Sequence, residues 1–194
     1  MTLFAAKIAW FLGIVGWFVI RYPFQRRARQ LGVARSAVGT RERVLLTISA
    51  TGQFIIPLIY VVTGQPAVAD TAFYPWIAAL GVIVLIAALI LFRVTHKQLG
   101  RNWSISLETR SDHRLVTAGP YRYVRHPMYS SFLLSAIGQL LLLPNWVASP
   151  SGLVGLAILF FFRVGKEEAL MVETFGEQYR IYMRKTARIV PFIY

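Results

Sequence analysis

The sequence contains no cysteine, which excludes disulfides, thiolate metal sites and cysteine nucleophiles. Acidic residues are scarce, eight against 21 Lys and Arg, so any carboxylates that cluster are conspicuous. Charge of either sign makes up only 15% of the chain, against 56% hydrophobic residues and a mean hydropathy of +0.55, a composition that water-soluble domains do not show. There is no GxSxG, no GxGxxG and no phosphate-cradling glycine loop, so the fingerprints of soluble hydrolases and of dinucleotide or Rossmann methyltransferase folds are missing. The three histidines, His96, His113 and His126, are widely separated and have no acidic partner at ligand spacing, so no metal is expected. Nor is there an internal repeat or low-complexity tract.

What is abundant is apolar and comes in blocks. Leu3 to Ile20, Val44 to Val62 and Pro75 to Phe92 carry no charge except Lys7, and each is long enough for a helix crossing ~30 Å of hydrocarbon. A longer run, Met128 to Phe162, is broken near Pro144 and Asn145. It divides into Met128 to Leu143 and Trp146 to Phe162, with Leu143-Pro144-Asn145-Trp146 as the turn of a helical hairpin. Because a bilayer offers the backbone no hydrogen-bond partners, helices are the expected form. The first run lacks a basic leader and passes straight into an Arg-rich segment, as an uncleaved signal-anchor does. In the second, Gly52 and Pro57 read as packing or kink positions among Thr47, Ser49, Thr51 and Gln53.

A net charge of +13 ordinarily raises nucleic acid as a partner. Its distribution argues for topology instead. Seven of the Lys and Arg residues lie between Arg21 and Arg43, seven between Arg93 and Arg125 and six between Arg163 and Arg188, while Thr63 to Tyr74 and Pro144 to Pro150 contain none. Under the positive-inside rule this places the N-terminus outside and the C-terminus in the cytoplasm, with anionic lipid rather than nucleic acid against the basic loops. The expected fold is therefore an all-α integral membrane protein of about five transmembrane helices, a single domain in which residues 1–92 are scaffold and 93–194 carry the function.

Within the second half, the segment from Arg93 to Pro127 is too long for a simple connection and is rich in aromatics, including Trp103, Tyr121 and Tyr123. Gly119-Pro120 predicts a turn and His126-Pro127 a helix start, where unpaired backbone N–H groups could receive an anion. Arg163 and Glu167, four apart, share a helical face. Glu167 and Glu168 are adjacent, and Glu173 and Glu177 follow on the same segment. That segment reads as an amphipathic helix running to about Lys185, with Leu170, Met171, Phe175 and Tyr179 at helical spacing, folded against the long loop or the membrane surface. On the residues alone, these charges and tyrosines read more readily as the interfacial flanks of membrane spans.

Taken together, His113-Arg-Leu-Val116, Gly119-Pro-Tyr121, Arg125-His-Pro-Met-Tyr129, Arg163 with Glu167-Glu168, Phe175-Gly-Glu-Gln-Tyr179 and Pro191-Phe192 resemble the isoprenylcysteine carboxyl methyltransferase family, whose wider group includes phospholipid N-methyltransferases. The resemblance covers roughly residues 93–194. It implies a membrane-embedded enzyme that takes a methyl group from S-adenosylmethionine and places it on the carboxylate of a prenylated cysteine. By position, it implies a cofactor site at His113, Arg114, Leu115, Val116, Tyr121, His126, Pro127, Met128 and Tyr129, with Glu168 on the cofactor side and Arg163 and Glu167 at the substrate end.

The chemistry is compatible with that assignment. The cofactor needs an apolar or aromatic slot for adenine, paired charges for its amino-acid end and aromatic or oxygen neighbours for the sulfonium. Methyl transfer to a carboxylate needs no base, because the nucleophile is already ionised, so the protein's task is alignment and desolvation. In this reading Arg163 grips the acceptor carboxylate, Glu167 holds Arg163, a lipophilic substrate enters sideways from the bilayer and the cofactor enters from the cytosol. Two other readings stay open: an amine N-methyltransferase of lipid head groups, with Glu167 or Glu168 as base, and a non-catalytic lipid-binding scaffold. The compact size and Arg-rich loops suit a prokaryotic plasma membrane.

Overall fold

A computed structural model of the chain describes residues 1–29, 35–36, 39–100, 108–109 and 115–193. The elements, in order, are α1 (Leu3–Arg29), the short strand β1 (Arg35–Ser36), α2 (Thr40–Ala50), a π-helical turn (Thr51–Ile55), α3 (Ile56–Thr63), α4 (Pro75–Leu99), β2 (Glu108–Thr109), a 3-10 turn (Gly119–Arg122), α5 (Pro127–Leu142), α6 (Ala148–Phe175) and α7 (Glu177–Lys185). The two-residue strands pair antiparallel, and the other elements among the described residues are helical.

Among the described residues, four helices are long and apolar enough to cross a membrane: Leu3–Ala28, the continuous Thr40–Thr63, Pro75–Leu99 and Ala148–Phe175. The fifth expected span, α5, has 16 residues, about 24 Å at 1.5 Å per residue, and falls short of the usual crossing length. It packs on α4 and α6. The Leu-Pro-Asn-Trp turn predicted from sequence lies between α5 and α6, and Asn145 organises it. Its Oδ1 accepts from the backbone N–H of Val147 and Ala148, capping α6, while its Nδ2 donates to Pro66 O and Asp70 Oδ1 at 2.9 and 2.8 Å. Large apolar side chains such as Phe161, Val62 and Ile90 stand exposed on the outer faces, where only lipid would favour them.

Two apolar clusters hold the bundle. One gathers Trp10, Tyr60, Leu85, Leu142 and Leu143 from α1, α3, α4 and the hairpin. The other gathers Leu45, Tyr129, Leu156, Leu159, Phe160 and Val164 from α2, α5 and α6, and it lies directly beneath the charged end of the molecule.

The Gly52 and Pro57 positions take the form of a π turn. A wide turn of this kind would close with a bond from residue 57 to the carbonyl of residue 52, but proline has no N–H to give. The Gly52 carbonyl is taken instead by Ser151 Oγ at 2.7 Å, with Gln139 Nε2 at 3.4 Å, so α6 and α5 satisfy a backbone group that lipid would leave bare. The approach requires glycine at 52, where a methyl group would overlap the Ser151 backbone, and is tight at Gly155, where one would lie 3.1 Å from the Ile48 carbonyl oxygen. The antiparallel register of α2 and α6 follows from this contact.

The polar continuation of the last span is two helices rather than one. Helix α6 runs on to Phe175, and the chain then breaks at Gly176, whose φ of 56° and ψ of −131° suit only glycine. On α7, Tyr179 and Tyr182 face inward while Arg180, Arg184 and Glu177 are exposed and pair with one another.

Candidate active site

The charged end of the molecule is built around Glu168, whose side chain is 6% exposed. Its Oε1 accepts from Arg125 Nε at 3.0 Å and Arg188 Nε at 3.3 Å and lies 3.4 Å from His126 Nε2, while Oε2 accepts from Arg188 Nη2 at 3.1 Å. Arg125 donates further to the carbonyls of Met183 and Thr186. One carboxylate on α6 thus ties the segment leading into α5 to the segment leaving α7. Backbone bonds reinforce the tie, from Arg125 N to Ala187 O at 2.8 Å and from His126 N to Arg188 O at 2.9 Å. A carboxylate buried this deeply persists only when both oxygens are engaged by cations or donors.

One turn away lies a second group. Arg163 Nε is 2.9 Å from Glu42 Oε1 on α2. The guanidinium carbon sits 6.0 Å from the centre of the Tyr129 ring, and the Tyr129 hydroxyl donates to Glu167 Oε2 at 3.1 Å. His126 stands between the two glutamates, its Nδ1 4.0 Å from Glu167 Oε1. The expected Arg163–Glu167 pair is joined by a third residue: the direct ion-pair contact of Arg163 comes from Glu42 on α2, while Glu167, oriented by Tyr129, acts on the guanidinium from one turn along α6. Arg163 thus lies in the field of two carboxylates, Glu42 in direct contact and Glu167 through space from its own helix, with the Tyr129 hydroxyl beside it. The side chain of Glu167 is 27% exposed, that of Glu42 only 6%.

Tyrosines close the assembly from the side of α7. The Tyr182 hydroxyl donates to Tyr121 O at 2.6 Å. Burial pushes the Tyr182 phenol up to about 12, although Arg125 and Thr186 act against the rise. Burial, with Glu167 and Tyr182 nearby, holds Tyr121 well above the ordinary tyrosine value. Both are neutral hydrogen-bonding walls at any physiological pH.

The helix start predicted at His126-Pro127 is present, with α5 beginning at Pro127. Its anion-binding capacity is smaller than expected, because the His126 N–H is occupied by Arg188 O and Pro127 has none. Met128 and Tyr129 retain N–H groups with no i−4 carbonyl inside the helix.

An apolar cavity of about 350 Å³ opens along the α2–α6 contact, lined by Ile48, Ile56, Val147, Pro150 and Val154 with Thr47, Thr51 and Ser151. The charged groups do not line it. From Gly155 at its rim to Arg163 is eight residues of α6, about 12 Å.

Of the residues expected to hold cofactor or substrate, Arg163, Glu167, Glu168, His126 and Tyr129 converge within this assembly, with Pro127 and Met128 at its helix start. Tyr121 joins through Tyr182. Leu115 and Val116 are half-buried ahead of the 3-10 turn, and His113 and Arg114 lie outside the described residues. Sequence reasoning missed Glu42, Arg188 and Tyr182 as parts of the assembly. The available signal for Glu42 was its isolation: it is the one acidic residue in the first 69.

The family model for isoprenylcysteine carboxyl methyltransferase matches residues 79–173. The chain is 31% identical over 134 residues to protein-S-isoprenylcysteine O-methyltransferase B of Arabidopsis thaliana, covering 65% of this chain and 68% of the plant protein. It is 39% identical over 100 residues to protein-S-isoprenylcysteine O-methyltransferase of Schizosaccharomyces pombe, covering 50% of this chain and 42% of the fungal one. The fold is similar to a solved structure of the eukaryotic intramembrane Ras methyltransferase, isoprenylcysteine carboxyl methyltransferase, with a TM-score of 0.58 and 26% identity over 81% of this chain and 55% of that one.

Proposed function

Since the chain belongs to the isoprenylcysteine carboxyl methyltransferase family, we propose that it transfers a methyl group from S-adenosylmethionine to the carboxylate of a prenylated cysteine or a similar lipophilic acid, and that the residues meeting at the charged end are the site. The observation that carries this reading is the meeting of Arg163, Tyr129, Glu167, His126 and Glu168, from two helices 34 or more residues apart in sequence, in one partly buried cluster.

The residues present suit the cofactor. Tyr121, Tyr129, Leu115 and Val116 supply aromatic and apolar surface for the adenine. The half-exposed Glu167 carboxylate supplies an acceptor for the ammonium, and the Met128 and Tyr129 N–H groups a place for the carboxylate. Glu168 acts from behind: its oxygens are occupied by Arg125, Arg188 and His126, so it holds the α5 start in position rather than touching the cofactor. Bound S-adenosylmethionine supplies an electrophilic methyl on a sulfonium leaving group.

The protein's own part is to hold the acceptor in line and keep water away. Arg163 presents a guanidinium to the acceptor carboxylate, orienting one oxygen for attack. The acceptor is already ionised, so no side chain has to remove a proton from it. The lipid chain has a place in the apolar cavity along α2 and α6, which ends about two turns short of Arg163. We read this site as cytoplasmic and the N-terminus as outside, which the Arg-rich ends of the helices support. The plant and fungal relatives give no support to a prokaryotic plasma membrane.

Supplying detergent-solubilised protein with labelled cofactor and a panel of acceptors tests the reading. Methylation of a farnesylcysteine analogue but not of amine lipids is expected, and the reverse preference would overturn it.

A further inference from the structure

The first three spans look like scaffold, yet one of them delivers a charge to the site. Glu42 sits in the first turn of α2, where the helix dipole favours a carboxylate. Two consecutive residues of α2 grip two consecutive residues of α6: Arg41 Nη2 donates to the Phe162 carbonyl at 3.4 Å and lies over the Phe162 ring, and Glu42 meets Arg163. Further along the same antiparallel contact, Ile48 faces Gly155 and Gly52 faces Ser151. The glycine contact therefore fixes the register that brings residue 42 to residue 163.

Within the Glu42–Arg163 pair, Nε and Oε1 are fully buried and 2.9 Å apart, and among the described residues neither has an aligned hydrogen bond. The direct ionic contact is what holds them. Glu42 occupies the Nε edge of the guanidinium. The two Nη groups are left to face Tyr129, which hydrogen-bonds the guanidinium, and to offer an incoming carboxylate the parallel donors of an arginine fork.

We propose that Glu42 is a positioning residue for the methyl transfer: it fixes the guanidinium of Arg163 by its Nε edge so that the Nη edge faces the acceptor carboxylate. It lies outside the segment matched by the family model. The proposal rests on the functional reading above for the acceptor, but not for the anchoring itself.

The test uses Glu42→Gln and Glu42→Asp in the full chain, with turnover counted per S-adenosylhomocysteine-binding site and below the unfolding temperature of each variant. Because Arg163 keeps its charge, E42Q is expected to lower kcat roughly ten- to a hundredfold while changing the acceptor KM by less than about threefold, with E42D between it and wild type. A kcat per site equal to wild type would overturn the proposal. A second arm needs no activity: modification of Arg163 by phenylglyoxal, followed by mass spectrometry, is expected to be faster in E42Q, and equal rates would overturn the anchoring. If wild-type protein methylated no acceptor, the functional reading would fall while the labelling arm still decided whether Glu42 holds Arg163.

Discussion

At the scale of single residues, Arg163 and Glu168 have opposite duties. If Arg163 presents its fork to the acceptor as proposed, Arg163→Lys, which keeps the charge but loses the planar pair of donors, is expected to lower kcat/KM for the carboxylate acceptor roughly a hundredfold with cofactor binding retained. Steady-state kinetics with cofactor titration measure both. Glu168, whose oxygens are taken by Arg125, Arg188 and His126, is proposed to be structural. Glu168→Gln leaves Arg125, Arg188 and His126 without their shared counter-charge, and a loss of about 3 kcal/mol is expected in detergent unfolding. Tyr182 extends the argument to pH. Burial favours its neutral phenol, so that contribution to stability is complete below pH 10, where an unfolded tyrosine begins to ionise, and is lost as pH climbs toward 12. Unfolding followed against pH should show that alkaline decline, and Tyr182→Phe should flatten it.

Between elements, the α2–α6 contact decides whether the site assembles. Gly155→Leu drives a side chain into the Ile48 backbone. The expected result is a lower unfolding temperature together with loss of turnover, because separating the helices also separates Glu42 from Arg163. Ser151→Ala is milder: it takes one donor from the Gly52 carbonyl, at an expected cost of about 1 kcal/mol with activity retained. Much at this scale was legible in the sequence. Apolar run lengths gave the helices, Leu-Pro-Asn-Trp gave the hairpin turn, and Gly52 with Pro57 marked the distorted turn. The break at Gly176 was not legible, because Phe175 and Tyr179 keep helical spacing across it and periodicity is blind to one residue with positive φ. Nor was the partner of Arg163 legible, since spacing along one helix favours Glu167 and says nothing of which helix packs alongside.

Over the whole molecule, the charged end is the proposed seat of the chemistry and the apolar body its anchor. The sequence pointed to this through its segregated Lys and Arg, while membership of the family follows from matched residues in the second half of the chain. The first half contributes more than anchorage if Glu42 acts as proposed, and composition could not have revealed that. The nature of the acceptor is also a property of the whole assembly, and pH separates the candidates: a carboxylate is fully ionised from pH 6 to 9, so its methylation rate should be flat there, whereas an amine acceptor would give a rate rising with pH. The most direct measurement follows the bond that is made. Incubating the protein with S-adenosylmethionine labelled in its methyl group and a farnesylcysteine analogue, then treating the extracted product with alkali, should release the label as volatile methanol, as a methyl ester must. Label that stays on the acceptor through alkali, or appears only on amine lipids, would contradict the account.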